Sequence, residues 1–232
     1  MATRVLVCLS FCGGGTTSFR PWAGALAEDV DLALVCYPGR ERRIAEPAMS
    51  TWTGLMDDVL ALVRSLAHRP YVLFGHSMGA WVAFEVAAAA ERDGWPAPRA
   101  LIVSASSPPS RAAQERLAPP TLGASDEQVL DWMRRVGQLS ELIIADPGLR
   151  ALTLELFRAD RRASDSYEFT PGRMVRAPLQ VLSGVDDPQV TDEGGWRALA
   201  AGDYRFDKLP GGHFYTPEIW AQLPRHIAAL TA

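Results

Sequence analysis

Five residues, Gly75-His76-Ser77-Met78-Gly79, stand between an apolar run, Tyr71-Val72-Leu73-Phe74, and a stretch of helical character that begins Ala80-Trp81-Val82-Ala83. A serine with a glycine two positions away on either side, where a strand gives way to a helix, is the pattern of a nucleophile elbow. The turn has to be tight enough to strain the serine backbone and stand its hydroxyl clear of the sheet, and the flanking positions must be small because neighbouring backbone comes close. Chance also produces such pentapeptides, so the pattern counts only when the rest of the chain supplies the elements and partners that it requires.

Six short apolar runs recur, at residues 4–9, 31–37, 71–74, 100–104, 178–183 and 204–209. Most lack period-2 alternation, as expected of strands covered on both faces. Helical patterns lie between or after them, at 22–27, 51–67, 78–93, 193–201 and 217–230. This alternation predicts an α/β fold, a mostly parallel sheet with helices on both faces, in which ligands bind at the carboxyl ends of the strands. One interval breaks the rhythm. Between Ser104 and Pro178 there is no strand pattern, and helical patterns appear near 125–136, 139–144 and 147–163. A structureless loop of that length would be improbable. The expected organisation is therefore a core of residues 1–104 and 178–232, with 105–177 inserted as a helical lid over the strand ends.

A length of 232 residues suits one domain carrying such an insertion. The formal net charge of −4 gives no electrostatic case for nucleic acid or an anionic membrane. Residues 81–90, the longest apolar stretch beyond the N-terminus, include Glu85 and are too few to span a bilayer. The first twelve residues carry Arg4 and a short apolar run, but Phe11 stands where a lipoprotein signal needs a small residue, so they read as a buried first strand. The odd count of three cysteines, Cys8, Cys12 and Cys36, reads as buried free thiols in a reducing compartment. A cytoplasmic monomer is expected, with no metal or diffusible cofactor.

A serine nucleophile needs a base, and the base needs an orienting acid; on this kind of sheet they follow in the order Ser, Asp or Glu, His. Of the four histidines, His68 ends a polar helical stretch and His226 lies in the last helical pattern, while His76 adjoins the serine on a tight turn and points elsewhere. His213 follows Leu209-Pro210-Gly211-Gly212, directly after the last strand pattern, where a loop can carry it over the strand ends. The acid belongs on the loop after the preceding strand, Val185-Asp186-Asp187-Pro188-Gln189-Val190. Asp187 is favoured, because Pro188 stiffens the turn beside it and Val190 can pack back to the sheet, with Asp186 as the alternative. The oxyanion formed on attack needs two backbone N–H donors. Met78, at the helix N-terminus, supplies one; the glycine-rich loop after the first strand, Ser10-Phe11-Cys12-Gly13-Gly14-Gly15, supplies the other. That loop has no lysine and matches no phosphate-binding spacing.

These motifs together resemble the type II thioesterases, stand-alone α/β-hydrolases that accompany polyketide and nonribosomal peptide synthetases. The resemblance is carried by Phe74 to Gly79, by Tyr37-Pro38-Gly39-Arg40-Glu41-Arg42-Arg43 with Glu46-Pro47, by Phe157-Arg158-Ala159-Asp160 with Tyr167, and by Gly211-Gly212-His213-Phe214. In Gly184-Val185-Asp186-Asp187 the family's acid lies three residues after the glycine, which supports Asp187. The first loop departs from the family's usual proline, aromatic, alanine and two glycines: here it reads Ser10-Phe11-Cys12-Gly13-Gly14, with the aromatic retained, and the Phe11 N–H is assigned to the oxyanion hole. The resemblance implies hydrolysis of acyl thioesters on the phosphopantetheine arm of acyl or peptidyl carrier proteins, in an editing role. Chain release, general ester hydrolysis and a non-catalytic binding module are the alternatives. Arg40, Arg42 and Arg43 either meet an acidic carrier or pair with Glu41, Glu46 and Asp160. Trp81 and Phe84 are expected in the core.

Overall fold

The computed structural model describes residues 3–109, 120–190 and 194–231. Its sheet has six strands, β1 (Arg4–Leu9), β2 (Val30–Leu34), β3 (Tyr71–His76), β4 (Ala100–Ser104), β5 (Leu179–Gly184) and β6 (Tyr204–Leu209), in the order β2-β1-β3-β4-β5-β6. Every neighbouring pair is parallel. The strand order reverses between β1 and β3, so their carboxyl ends, in register at Leu9 and Gly75, open the crevice where parallel sheets take their ligands. β3, β4 and β5 are buried along their whole length, in keeping with their largely apolar sequences, whereas the edge strand β6 is buried only at Leu209.

Two apolar layers sandwich the sheet. On one face Val5, Val7, Leu9, Leu73 and Leu101 pack against α1 (Trp52–Leu66) and α2 (Met78–Asp93). On the other, Leu6, Cys8, Val72, Phe74 and Ile102 pack against Phe19, Trp22 and the C-terminal elements. α2 is alanine-rich because it is enclosed: Met78 through Ala90 are all buried. Between β4 and β5 come α3 (Asp126–Val136), α4 (Glu141–Ala145) and α5 (Pro147–Asp165). α3 opens with a reciprocal capping box, Ser125 to Gln128, and ends on Gly137 in the left-handed region. α3 and α5 share a small core of Val129, Met133, Leu154 and Phe157. α5 also reaches the main core through Ala163. Residues 110–119 of the expected insertion lie outside the described residues.

Several expected elements differ. β2 stops at Leu34 rather than continuing to Tyr37, because the chain leaves the sheet for the turn at Pro38-Gly39, where Gly39 has φ 83°. The expected helix at 22–27 is a 3-10 helix over Thr17–Ala25 containing Pro21. The pattern at 193–201 yields a 3-10 helix over Gly195–Leu199, and its expected start lies outside the described residues. The expected terminal helix is broken into α6 (Pro217–Gln222), a 3-10 turn Leu223–His226 and α7 (Ala228–Thr231), since Pro224 has no N–H to continue the ladder.

Candidate active site

β3 runs two residues past its expected end, to His76, and α2 starts at Met78, so Ser77 alone makes the turn between them. Its backbone sits at φ 55°, ψ −119°, a conformation that a serine adopts only when its surroundings enforce it. The enforcement is steric: a Cβ on Gly75 would lie 1.9 Å from the Gly79 carbonyl oxygen, and one on Gly79 would lie 2.3 Å from the Leu9 oxygen. Ser77 N–H donates to the Ser104 carbonyl at 2.8 Å and ties the turn to β4. From Tyr71 to Ala90, Ser77 is the one residue not fully buried, so the hydroxyl is what this otherwise closed segment offers to a substrate.

The loops after β5 and β6 meet. Asp186 N–H donates to the Gly211 carbonyl at 3.0 Å, and Gly184 lies so close to the Gly212 oxygen that an added Cβ would be 2.2 Å from it. This contact puts Asp187 against His213: Asp187 Oδ2 is 2.9 Å from His213 Nδ1, and Asp187 Oδ1 accepts the Gln189 N–H at 2.9 Å. Both side chains are buried, whereas Asp186 is exposed. With Nδ1 committed to the carboxylate, Nε2 is the ring nitrogen left for proton transfer. A groove of about 420 Å³ borders His213, lined among others by Trp132 and Arg135 of α3, by Asp186, and by Phe214.

The loop after β1 has two of its amides already engaged. Gly14 N–H donates to the Phe11 carbonyl at 2.9 Å, and Gly13 N–H to Asp160 Oδ2 at 2.7 Å. Within residues 11–14, this leaves Phe11 and Cys12 as the amides free to meet an oxyanion. Met78 is the first residue of α2, where the N–H has no intrahelical acceptor and the helix dipole favours negative charge. The Cys12 sulfur lies 3.6 Å from the Met78 sulfur, and loss of water around the thiol pushes its pKa up to about 12.

The arginine-rich stretch turns inward. Arg40 and Asp160 form a buried two-pronged pair, at 2.8 and 2.7 Å, and Arg40 also donates to the Gly14 carbonyl at 2.6 Å. Arg43 pairs with Glu46, as the sequence suggested, and with Asp58 on α1, which it did not. Glu41 departs from expectation: its carboxylate accepts from Thr16 and Thr17 rather than from an arginine. Arg42 is exposed. Trp81 and Phe84 lie in the main core.

Sequence reasoning found no role for His76, and its surroundings suggest one. The ring is fully buried, with Nδ1 3.0 Å from Ser104 Oγ, which is in turn 2.7 Å from the Tyr215 hydroxyl. It packs against the rings of Phe11, His213, Phe214 and Trp220 at 4.9 to 5.7 Å. His76 is thus a platform under both the histidine loop and Phe11 of the glycine-rich loop. Burial, reinforced by His213, holds it well below the usual 6.5. The unfolded chain takes up a proton near that value and the folded chain refuses it, so stability present above pH 6.5 is lost as pH falls below it, by up to about 1.4 kcal/mol per pH unit. Urea midpoints at pH 7.5 and 5.5 should show this loss, and His76→Gln should flatten it.

A parallel sheet of this strand order, a serine on the turn after β3 and a histidine after the last strand define the α/β-hydrolase fold. Within that class the chain belongs to the thioesterase domain family, whose model matches residues 4–231. It is 32% identical over 228 residues to Thioesterase PikA5 of Streptomyces venezuelae, covering 96% of this chain and 79% of that protein. It is 33% identical over 212 residues to the Probable cadicidin biosynthesis thioesterase of Streptomyces griseus, covering 90% of this chain, and spans only 57% of that relative's length. Among solved structures, the RedJ thioesterase from the prodiginine biosynthetic pathway in Streptomyces coelicolor superimposes with a TM-score of 0.85 at 32% identity, covering 97% of this chain and 91% of that one. The type II thioesterase BorB from the borrelidin biosynthetic cluster does so at 0.80 and 34%, covering 97% and 92%. The resemblance to type II thioesterases therefore extends through the whole fold.

Proposed function

We propose that this chain is a serine thioesterase that hydrolyses acyl groups carried as thioesters on the phosphopantetheine arm of acyl or peptidyl carrier proteins, clearing stalled or mis-primed chains. Ser77 Oγ adds to the thioester carbonyl carbon as His213 Nε2 takes its proton, and the carbonyl electron pair moves onto oxygen, where the Met78 and Phe11 N–H groups hold it. Collapse breaks the carbon–sulfur bond, and the departing thiolate receives the proton from His213. Water then adds to the acyl-serine with His213 as base, and a second collapse frees the acid and returns the proton to Ser77. Asp187 keeps the His213 tautomer fixed and stabilises the imidazolium. The observation that supports this reading is the 2.9 Å hydrogen bond between Asp187 and His213, on the loops that follow β5 and β6, in a chain whose Ser77 stands on the strained turn after β3. The inserted helices α3, α4 and α5 would form the acyl chamber and its gate.

The substrate class is tested by comparing kcat/KM for a panel of acyl-carrier thioesters with that for oxygen esters of the same acids. The carrier-bound substrates should lead by roughly two orders of magnitude, equivalent to about 2.7 kcal/mol of carrier binding realised in the transition state. Equal or better turnover of the oxygen esters would reject a carrier-bound substrate.

A further inference from the structure

The glycine-rich loop that carries one proposed oxyanion donor is held from two sides. The segment that leaves β2 holds its start: the Tyr37 hydroxyl donates to the Ser10 carbonyl at 3.2 Å. The inserted helices hold its middle. The Cys12 carbonyl accepts from Gln138 Nε2 at 2.8 Å, and the next atom along the same peptide group, Gly13 N–H, donates to Asp160 Oδ2 at 2.7 Å. One peptide plane, immediately after the two amides left free for an oxyanion, is thus gripped at both ends by side chains from the segment between β4 and β5.

Gln138 is not a loosely placed side chain. Gly137 N–H bonds to the Arg134 carbonyl and Gln138 N–H to the Met133 carbonyl, the paired bonds that close a helix on a left-handed glycine, so Gln138 is fixed to the C-terminal end of α3. Its amide must present nitrogen to Cys12, because the partner is a carbonyl oxygen. The same end of α3 borders the groove beside His213. Cys12 in turn packs against the α3–α5 core. The position of α3 is therefore tied to the orientation of the peptides that follow Phe11.

We infer that Gln138 is a positioning residue for the oxyanion hole: with Asp160, it fixes the Cys12–Gly13 peptide and so aims the preceding amides at the developing charge. The inference rests on the serine thioesterase reading. It couples α3 to catalysis, since the loop is completed only while the end of α3 lies over it. A donor aimed at the oxyanion acts on the transition state and not on the bound thioester, so its misplacement lowers kcat and leaves KM alone.

The test is Gln138→Leu, which keeps the bulk and removes the donor. On an acyl-carrier thioester, kcat should fall about tenfold to a hundredfold with KM unchanged, below the 10²–10³ of deleting a donor outright. Two inhibitors separate positioning from mere lining of the groove. An alkyl trifluoromethyl ketone forms a hemiketal with Ser77 and places an oxyanion in the hole; an alkyl pantetheine thioether has a methylene in place of the thioester carbonyl and forms no oxyanion. The ketone should weaken by the same factor as kcat, while the thioether binds unchanged. Unchanged kcat, or equal weakening of both compounds, would overturn the inference. If the unsubstituted protein gave no hemiketal signal by fluorine NMR, the nucleophile assignment itself would fall, and this inference with it.

Discussion

Ser77→Ala is expected to reduce acyl-carrier thioester hydrolysis about 10⁶-fold, and Asp187→Asn about 10⁴-fold, while Asp186→Asn stays close to the unsubstituted protein. Removing the serine oxygen removes the covalent route altogether, and what survives is solvent attack on a bound thioester. The asparagine leaves the shape of the site intact but presents an N–H or a neutral oxygen to His213 Nδ1, so the imidazole is held in the wrong tautomer or loses the charge that stabilises its protonated form. Asp186 is the control because it is the neighbouring aspartate and its side chain is exposed. Single-turnover rates, with folding checked by circular dichroism, give the comparison. If Asp186→Asn cost more than Asp187→Asn, the acid would be misassigned.

The second large effect concerns stability. Arg40→Met should cost about 3–5 kcal/mol, because it leaves Asp160 charged, buried and stripped of its two strongest donors. At about 2–4 °C per kcal/mol for a chain of this size, the melting temperature should fall by roughly 6–20 °C. Asp160→Leu alone should be similarly damaging, since Arg40 is as deeply buried as its partner. Combining the two changes should recover much of the loss, because the cost of a broken pair lies in the charge left behind. Urea denaturation of the four proteins gives a double-mutant cycle. A strictly additive result would mean that the two side chains are not coupled.

What the sequence revealed, and what it hid, follows from the range over which each signal acts. Strand runs are local, so β1, β4 and β6 were legible residue by residue, and α3 falls within one residue of its expected 125–136. β2 was overextended because Val35, Cys36 and Tyr37 are apolar for a different reason: they are buried in the turn that leaves the sheet. The last helix was drawn too long because its apolar spacing persists through Pro224. At the site, the elbow pattern pointed to Ser77 and chain order to His213, while the Pro188 turn and the family's acid spacing favoured Asp187 over Asp186. Gln138 left no trace, since a glutamine after a helix-ending glycine is ordinary until a carbonyl 126 residues earlier is seen to accept from it. Asp58 pairs with Arg43 by the same kind of non-local meeting. His76 was dismissed as a base, and what it does offer, a neutral ring on which the loops rest, is visible only in three dimensions.

The turn at Ser77 also limits what heredity can try there. A positive φ is tolerable for glycine and bearable for small unbranched side chains, but severe for a β-branched one. Threonine, the other hydroxyl nucleophile and a single base change from many serine codons, would meet that backbone at its worst. Cysteine and alanine, also close in the genetic code, would not. The backbone thus screens its own mutational neighbours, admitting a thiol or an inert methyl and resisting the alcohol that chemistry alone would accept.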